Sequence, residues 1–130
     1  GPIIHVVDKT GTIKTTRSLL QSAPFKNIVV LVDKRTASAA EIIAAALQDS
    51  KAGIVVGETT YGKGVIQSIF MLPNGGGIKL TTDEYLTRNK KNINNIGITP
   101  DIILEKPPAD LLTENDWQLN QAIEILIKSK

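Results

Sequence analysis

Asn27-Ile28-Val29-Val30-Leu31-Val32-Asp33 opens a segment that continues through Ala37–Gln48 and closes on Ile54-Val55-Val56-Gly57. The first piece is an unbroken apolar run rich in β-branched residues, which suits a strand covered on both faces. In the second, Ala39, Ile42, Ile43, Ala46 and Leu47 recur at helical spacing. The third is a short apolar strand stopped by glycine. Strand, helix, strand in that order is a βαβ unit and predicts a mixed α/β architecture. Working outward, Ile3–Val7 reads as a strand, Lys9–Thr12 as a turn and Ile13–Thr16 as a second short strand. Beyond the unit the pattern turns antiparallel: Val65–Leu72 and Ile78–Leu86 are strands joined by the hairpin turn Asn74-Gly75-Gly76-Gly77. Asn92–Pro100 is a loop, and Ile102–Leu104 makes one more short strand. Pro107-Pro108 reads as a linker before a helix over Glu114–Lys128, with Trp117, Leu119, Ile123 and Leu126 as its apolar contacts. The expected division is 1–105 as the core and 106–130 as linker and C-terminal helix.

A chain of 130 residues fits one domain able to bury a core without staples. It has no cysteine, which excludes disulfides, thiolate zinc sites and thiol nucleophiles. A formal charge of +2 gives no reason to expect nucleic acid, and the densest basic cluster, Arg88, Lys90 and Lys91, has no aromatic platform beside it. Neither a signal peptide nor an apolar run of membrane-spanning length is legible. The one histidine, His5, lies inside the first strand, so a Ser–His–acid triad or a histidine metal site would hang on a strand residue. Both are rejected.

Two places could carry chemistry. Ser38 stands at the start of the helix in Thr36-Ala37-Ser38-Ala39-Ala40-Glu41. Ser38-x-x-Glu41 is a capping-box pattern, and on sequence grammar the cap is the plainer role. A strand-to-helix turn is also where a nucleophile is exposed, with free N–H groups and the helix dipole facing a developing oxyanion. The second place is Gly57-Glu58-Thr59-Thr60-Tyr61-Gly62-Lys63-Gly64, a near match to a phosphate-binding loop. Gly64 replaces the magnesium-binding hydroxyl, and the β-branched residues that follow suit a strand, where phosphate cradling needs a helix. Nucleotide binding is therefore disfavoured. Lys63 could instead be a surface lysine, or a base whose flanking glycines allow close backbone approach. To act as a base it must be neutral part of the time. Burial drives it that way, and moving a lysine from about 10.4 to roughly 8 costs on the order of 3 kcal/mol.

Taken together, these motifs resemble the C-terminal processing (tail-specific) proteases. That family carries a nucleophilic serine in a segment like Thr36–Glu41 and a lysine in one like Gly57–Gly64, with a glutamine four residues later, here Gln67. The 25-residue separation of Ser38 and Lys63 matches, as do Ala46-Leu47-Gln48-Asp49, Lys79-Leu80-Thr81-Thr82 and Gly97-Ile98-Thr99-Pro100-Asp101. The resemblance runs from Gly1 to about Leu104. It implies a crotonase/ClpP-like core of β-β-α units and a serine endopeptidase. In it Lys63 deprotonates Ser38, Gln67 holds the Lys63 amine, and the Ala39 N–H is an oxyanion-hole donor. It implies protein or peptide substrates cut at or near their C-termini, no cofactor, no metal, and an extracytoplasmic location. The family's second oxyanion donor and its PDZ domain have no counterpart in these 130 residues, so weak or absent activity is expected of the chain alone. Arg88 and Lys90 stand where many relatives carry proline and glycine. A non-catalytic ligand- or peptide-binding module of the same fold is the alternative, and homo-oligomer formation through a strand edge stays open.

Overall fold

The structure, a computed structural model, describes residues 1–20, 25–104 and 116–128. The apolar run after Asn27 becomes β3 (Ile28–Val32), following β1 (Pro2–Asp8) and β2 (Ile13–Arg17). The chain continues through α1 (Ala39–Asp49), β4 (Gly53–Gly57), β5 (Val65–Met71), β6 (Gly77–Thr87), β7 (Ile102–Ile103) and α2 (Trp117–Lys128). Strands β3 and β4 pair in parallel, Ile28 opposite Gly53 through Val32 opposite Gly57, and β7 adds to the far side of β4. The other sheet is antiparallel, in the order β2-β1-β6-β5. The mixed α/β architecture with an antiparallel hairpin and a C-terminal helix is thus present. The Pro107-Pro108 linker and the first residues of the expected final helix lie outside the described residues.

Helix α1 is the wedge between the two sheets. Its Ala45 packs with Ile4, Tyr85, Ile93 and Ile98, on the side of the antiparallel sheet. Its Ala44 packs with Val32 and Val55 of the parallel sheet. Single methyl groups on both flanks let the backbones approach closely, and close packing makes that narrow space specific for alanine. This rotates the buried stripe away from the one read in the sequence. Glu41, Ala44 and Ala45 are buried, whereas Ile43 is 60% exposed and Ala39 is exposed. The helix also begins later than Ala37, because Ser38 has non-helical backbone angles. In α2 the buried residue is Ala122, while Leu119 and Ile123 are exposed. That helix packs along β3, where Gln118 Nε2 donates to the Val32 carbonyl at 3.4 Å.

The hairpin turn closes one residue early. The Leu72 N–H donates to the Gly76 carbonyl at 2.7 Å, Gly75 takes φ 84°, and Gly77 already belongs to β6. The register steps from Ile66 opposite Asp83 to Gln67 opposite Thr81, which leaves Thr82 as a bulge in β6. Two motifs distant in sequence meet at the end of α1: Gln48 Nε2 donates to the Thr99 carbonyl and to Asp101 Oδ1, both at 3.0 Å. Asp101 Oδ2 in turn accepts the Val55 N–H at 2.8 Å, which ties the α1 end to β4. No helix among the described residues is long and apolar enough to cross a membrane.

Candidate active site

The approach to Ser38 is built by Asp33. Its Oδ1 accepts the N–H groups of Arg35 and Thr36, both at 2.9 Å, an Asx turn that folds the chain back at the end of β3. Ser38 then takes φ 56° and ψ −120°, a combination that costs a non-glycine residue about 1–3 kcal/mol. Such a sharp, strained strand-to-helix turn is how an enzyme lifts a nucleophilic hydroxyl out of the helix. Ser38 is half-buried, and the next residue, Ala39, is exposed with an N–H that has no partner among the described residues.

Glu41 lies under this turn, fully buried. Its Oε2 accepts the Ser38 N–H at 2.8 Å, as a capping box requires. Ser38 and Glu41 take the box arrangement, yet the Ser38 hydroxyl makes no side-chain cap hydrogen bond. The same Oε2 accepts the Lys63 N–H at 2.9 Å. Oε1 accepts the Gly62 N–H at 2.7 Å and the Thr60 hydroxyl at 2.5 Å. The backbones of Ser38 and Lys63 therefore meet at one oxygen atom. Buried carboxylates need such partners, because stripping them of water is costly unless hydrogen bonds replace it.

The lysine turn is held from its other side by the 93–98 loop. The Asn95 N–H donates to the Gly62 carbonyl at 2.8 Å and the Thr60 N–H to the Ile98 carbonyl at 3.1 Å. A Cβ on Gly62 would sit 2.8 Å from the Gly97 nitrogen, and one on Gly64 would sit 2.7 Å from the Asn94 nitrogen. The glycines flanking Lys63 are thus required by close backbone approach. Tyr61 N–H donates to the Thr36 carbonyl at 2.9 Å, a further tie between the two turns. Lys63 is half-buried, and among the described residues it has no carboxylate within ion-pair reach.

Tyr85 of β6 closes the group. Its hydroxyl donates to the Lys63 carbonyl. Burial pushes the phenol up to about 12, the Glu41 charge adds to the shift, and a hydrogen bond from the Ser38 side chain opposes it. Tyr85 therefore ties β6 to the lysine turn. Gln67, by contrast, is exposed on β5 and its amide has no hydrogen-bond partner among the described residues. His5 is buried elsewhere in the antiparallel sheet, with Nδ1 2.8 Å from Thr15 Oγ1 and Nε2 3.2 Å from the Arg88 carbonyl. Gly64 leads into β5, a strand, so the segment lacks the helix of a phosphate-binding loop.

The sequence pointed to the reach of Glu41 back to Ser38 and missed its three other partners, Thr60, Gly62 and Lys63, along with Tyr85. A signal existed for Glu41: it precedes Ala44 and Ala45 by three and four residues, in line with the buried stripe. Tyr85 left none, since a tyrosine in a strand says nothing about the backbone its hydroxyl meets.

Residues 1–104 match the family model described as peptidase family S41. The chain belongs to peptidase family S41. Among curated relatives, a carboxyl-terminal-processing protease of Synechocystis sp. is 39% identical over 127 residues, covering 95% of this chain and 30% of that protein. The chloroplastic carboxyl-terminal-processing peptidase 2 of Arabidopsis thaliana is 44% identical over 108 residues, covering 82% of this chain and 21% of that protein. Of solved structures, a photosystem II D1 C-terminal processing protease matches with a TM-score of 0.73 at 36% identity. That match covers 97% of this chain and 31% of the other. The tricorn protease, at 22% identity and a TM-score of 0.66 over 93% of this chain and 12% of its own, shares the fold. The S41 chain described here spans about a third of the length of the first curated relatives it matches.

Proposed function

We propose that these residues form part of the catalytic domain of a serine-type endopeptidase that cleaves protein substrates at or near their C-termini. The observation that carries the reading is the meeting of Ser38 and Lys63 backbones on one Glu41 oxygen, with Ser38 in a strained turn at a helix entrance. In this mechanism an uncharged Lys63 takes the proton of Ser38, whose oxygen attacks the scissile carbonyl. The Ala39 N–H, at the positive end of α1, stabilises the oxyanion. Collapse of the tetrahedral intermediate expels the amine, which takes the proton held by Lys63, and leaves an acyl-enzyme that water, deprotonated by Lys63, then hydrolyses. In this reading Gln67 holds the Lys63 amine in position. A second oxyanion donor comes from outside residues 1–130, and the longer protein works outside the cytoplasm. That location is supported by relatives named as chloroplastic processing peptidases.

The test is covalent labelling of the full-length protein with a fluorophosphonate. Labelling at Ser38 that is absent in Ser38→Ala and at least 100-fold slower in Lys63→Ala supports the dyad. Equal labelling of wild type and Lys63→Ala sinks it and favours a non-catalytic binding module.

A further inference from the structure

Resting on the Ser38–Lys63 reading, we propose that Glu41 is a positioning residue for the reaction, setting the distance between nucleophile and base from beneath. A helix cap needs one bond from this carboxylate to the Ser38 N–H. Three of its four bonds instead go to the lysine turn, to Thr60, Gly62 and Lys63. Every partner donates, every bond is 2.9 Å or shorter, and the side chain is fully buried. Consecutive N–H groups aimed at one anion make a nest, the feature by which phosphate loops hold phosphate. Here the nest formed by Gly62 and Lys63 is filled by the protein's own carboxylate. The likeness of Gly57–Gly64 to a phosphate loop thus has a physical basis, and the anion is internal. Because a single oxygen holds the Ser38 and Lys63 amides, neither turn can move without breaking a short, charge-assisted bond. Glu41 is buried away from solvent, so its loss acts on the reacting geometry and leaves substrate affinity alone.

A double-mutant cycle in the full-length protein tests this, reading the rate of Ser38 labelling by a fluorophosphonate and kcat and KM on a peptide. Glu41→Gln preserves size but turns an N–H₂ group toward N–H donors. It is expected to lower the labelling rate and kcat about 100-fold with KM unchanged, since misplacement near 1 Å costs that much. In a Lys63→Ala background the same change is expected to have no more than about a threefold effect, because residues acting as a unit are non-additive. Persistence of the whole Glu41→Gln loss in the Lys63→Ala background means Glu41 serves stability alone and overturns the proposal. Unchanged labelling in Lys63→Ala by itself marks the dyad, and with it this inference, as wrong. Should Glu41→Gln fail to fold by circular dichroism, Glu41→Asp enters the same cycle, keeping the charge but reaching one methylene less. Wild-type rates in that variant would equally overturn the role.

Discussion

Ser38 carries a Cβ in a conformation that glycine adopts freely, and this strain is separable from the hydroxyl it bears. Ser38→Ala keeps the strain and removes the hydroxyl, while Ser38→Gly removes both. The glycine variant is therefore expected to be more stable than the alanine variant by about 1 kcal/mol, after the entropy glycine adds to the unfolded chain. Urea denaturation of the two variants measures the difference, and a less stable glycine variant would contradict the backbone angles. Tyr85 gives a second test at this scale. Its phenol is raised above the ordinary value of 10.0 to about 12, so the folded state holds that proton longer than the unfolded one. The associated stability is complete below pH 10 and is lost as pH climbs from 10 toward 12. The chain has two tyrosines. Ultraviolet titration should show a tyrosinate component near pH 12 that vanishes in Tyr85→Phe. Its persistence in that variant would assign it elsewhere.

At the scale of elements, strand and helix types followed from composition, because β-branched runs and alanine-rich periodicity are local signals. The face of α1 did not. Periodicity weighs side chains by hydrophobicity, so it favoured Ile43 over Ala44. The two sheets instead bury Ala44 and Ala45, whose single methyl groups lie where the two core clusters converge on the helix. Ala44→Leu is accordingly expected to destabilise the chain by about 1–3 kcal/mol through overpacking. Ile43→Ala, at a site 60% exposed, is expected to change it by less than about 0.5 kcal/mol. Thermal melts of the two variants in the 130-residue chain compare them directly, and the reverse order would restore the face read from the sequence. The lysine turn obeys the same closeness rule. Gly62 has φ 84° with no room for a Cβ, so Gly62→Ala is expected to cost more than the 1–2 kcal/mol of the left-handed conformation alone.

Across the whole molecule, the motifs that carry Ser38 and Lys63 were legible because each is a short local pattern. The atom that joins them was not, since Glu41 announced a bond three residues away and concealed those to Thr60, Gly62 and Lys63. The hairpin of β5 and β6 shows a related limit: the strands were legible, but not that Ile69, Phe70, Met71, Ile78 and Leu80 within them are all exposed in these 130 residues. The chain alone is expected to hydrolyse peptides at least 100-fold more slowly than the full-length protein, and comparable rates in a direct assay would refute that. The shared oxygen of Glu41 has one more consequence, for how such a protein can be altered. Chain length between the two turns is free to vary, provided both ends return to the same anchor. Residues inserted at the exposed Lys51 bend should lengthen the path from serine to lysine without pulling them apart in space, whereas deletions that shorten β4 should separate them at once.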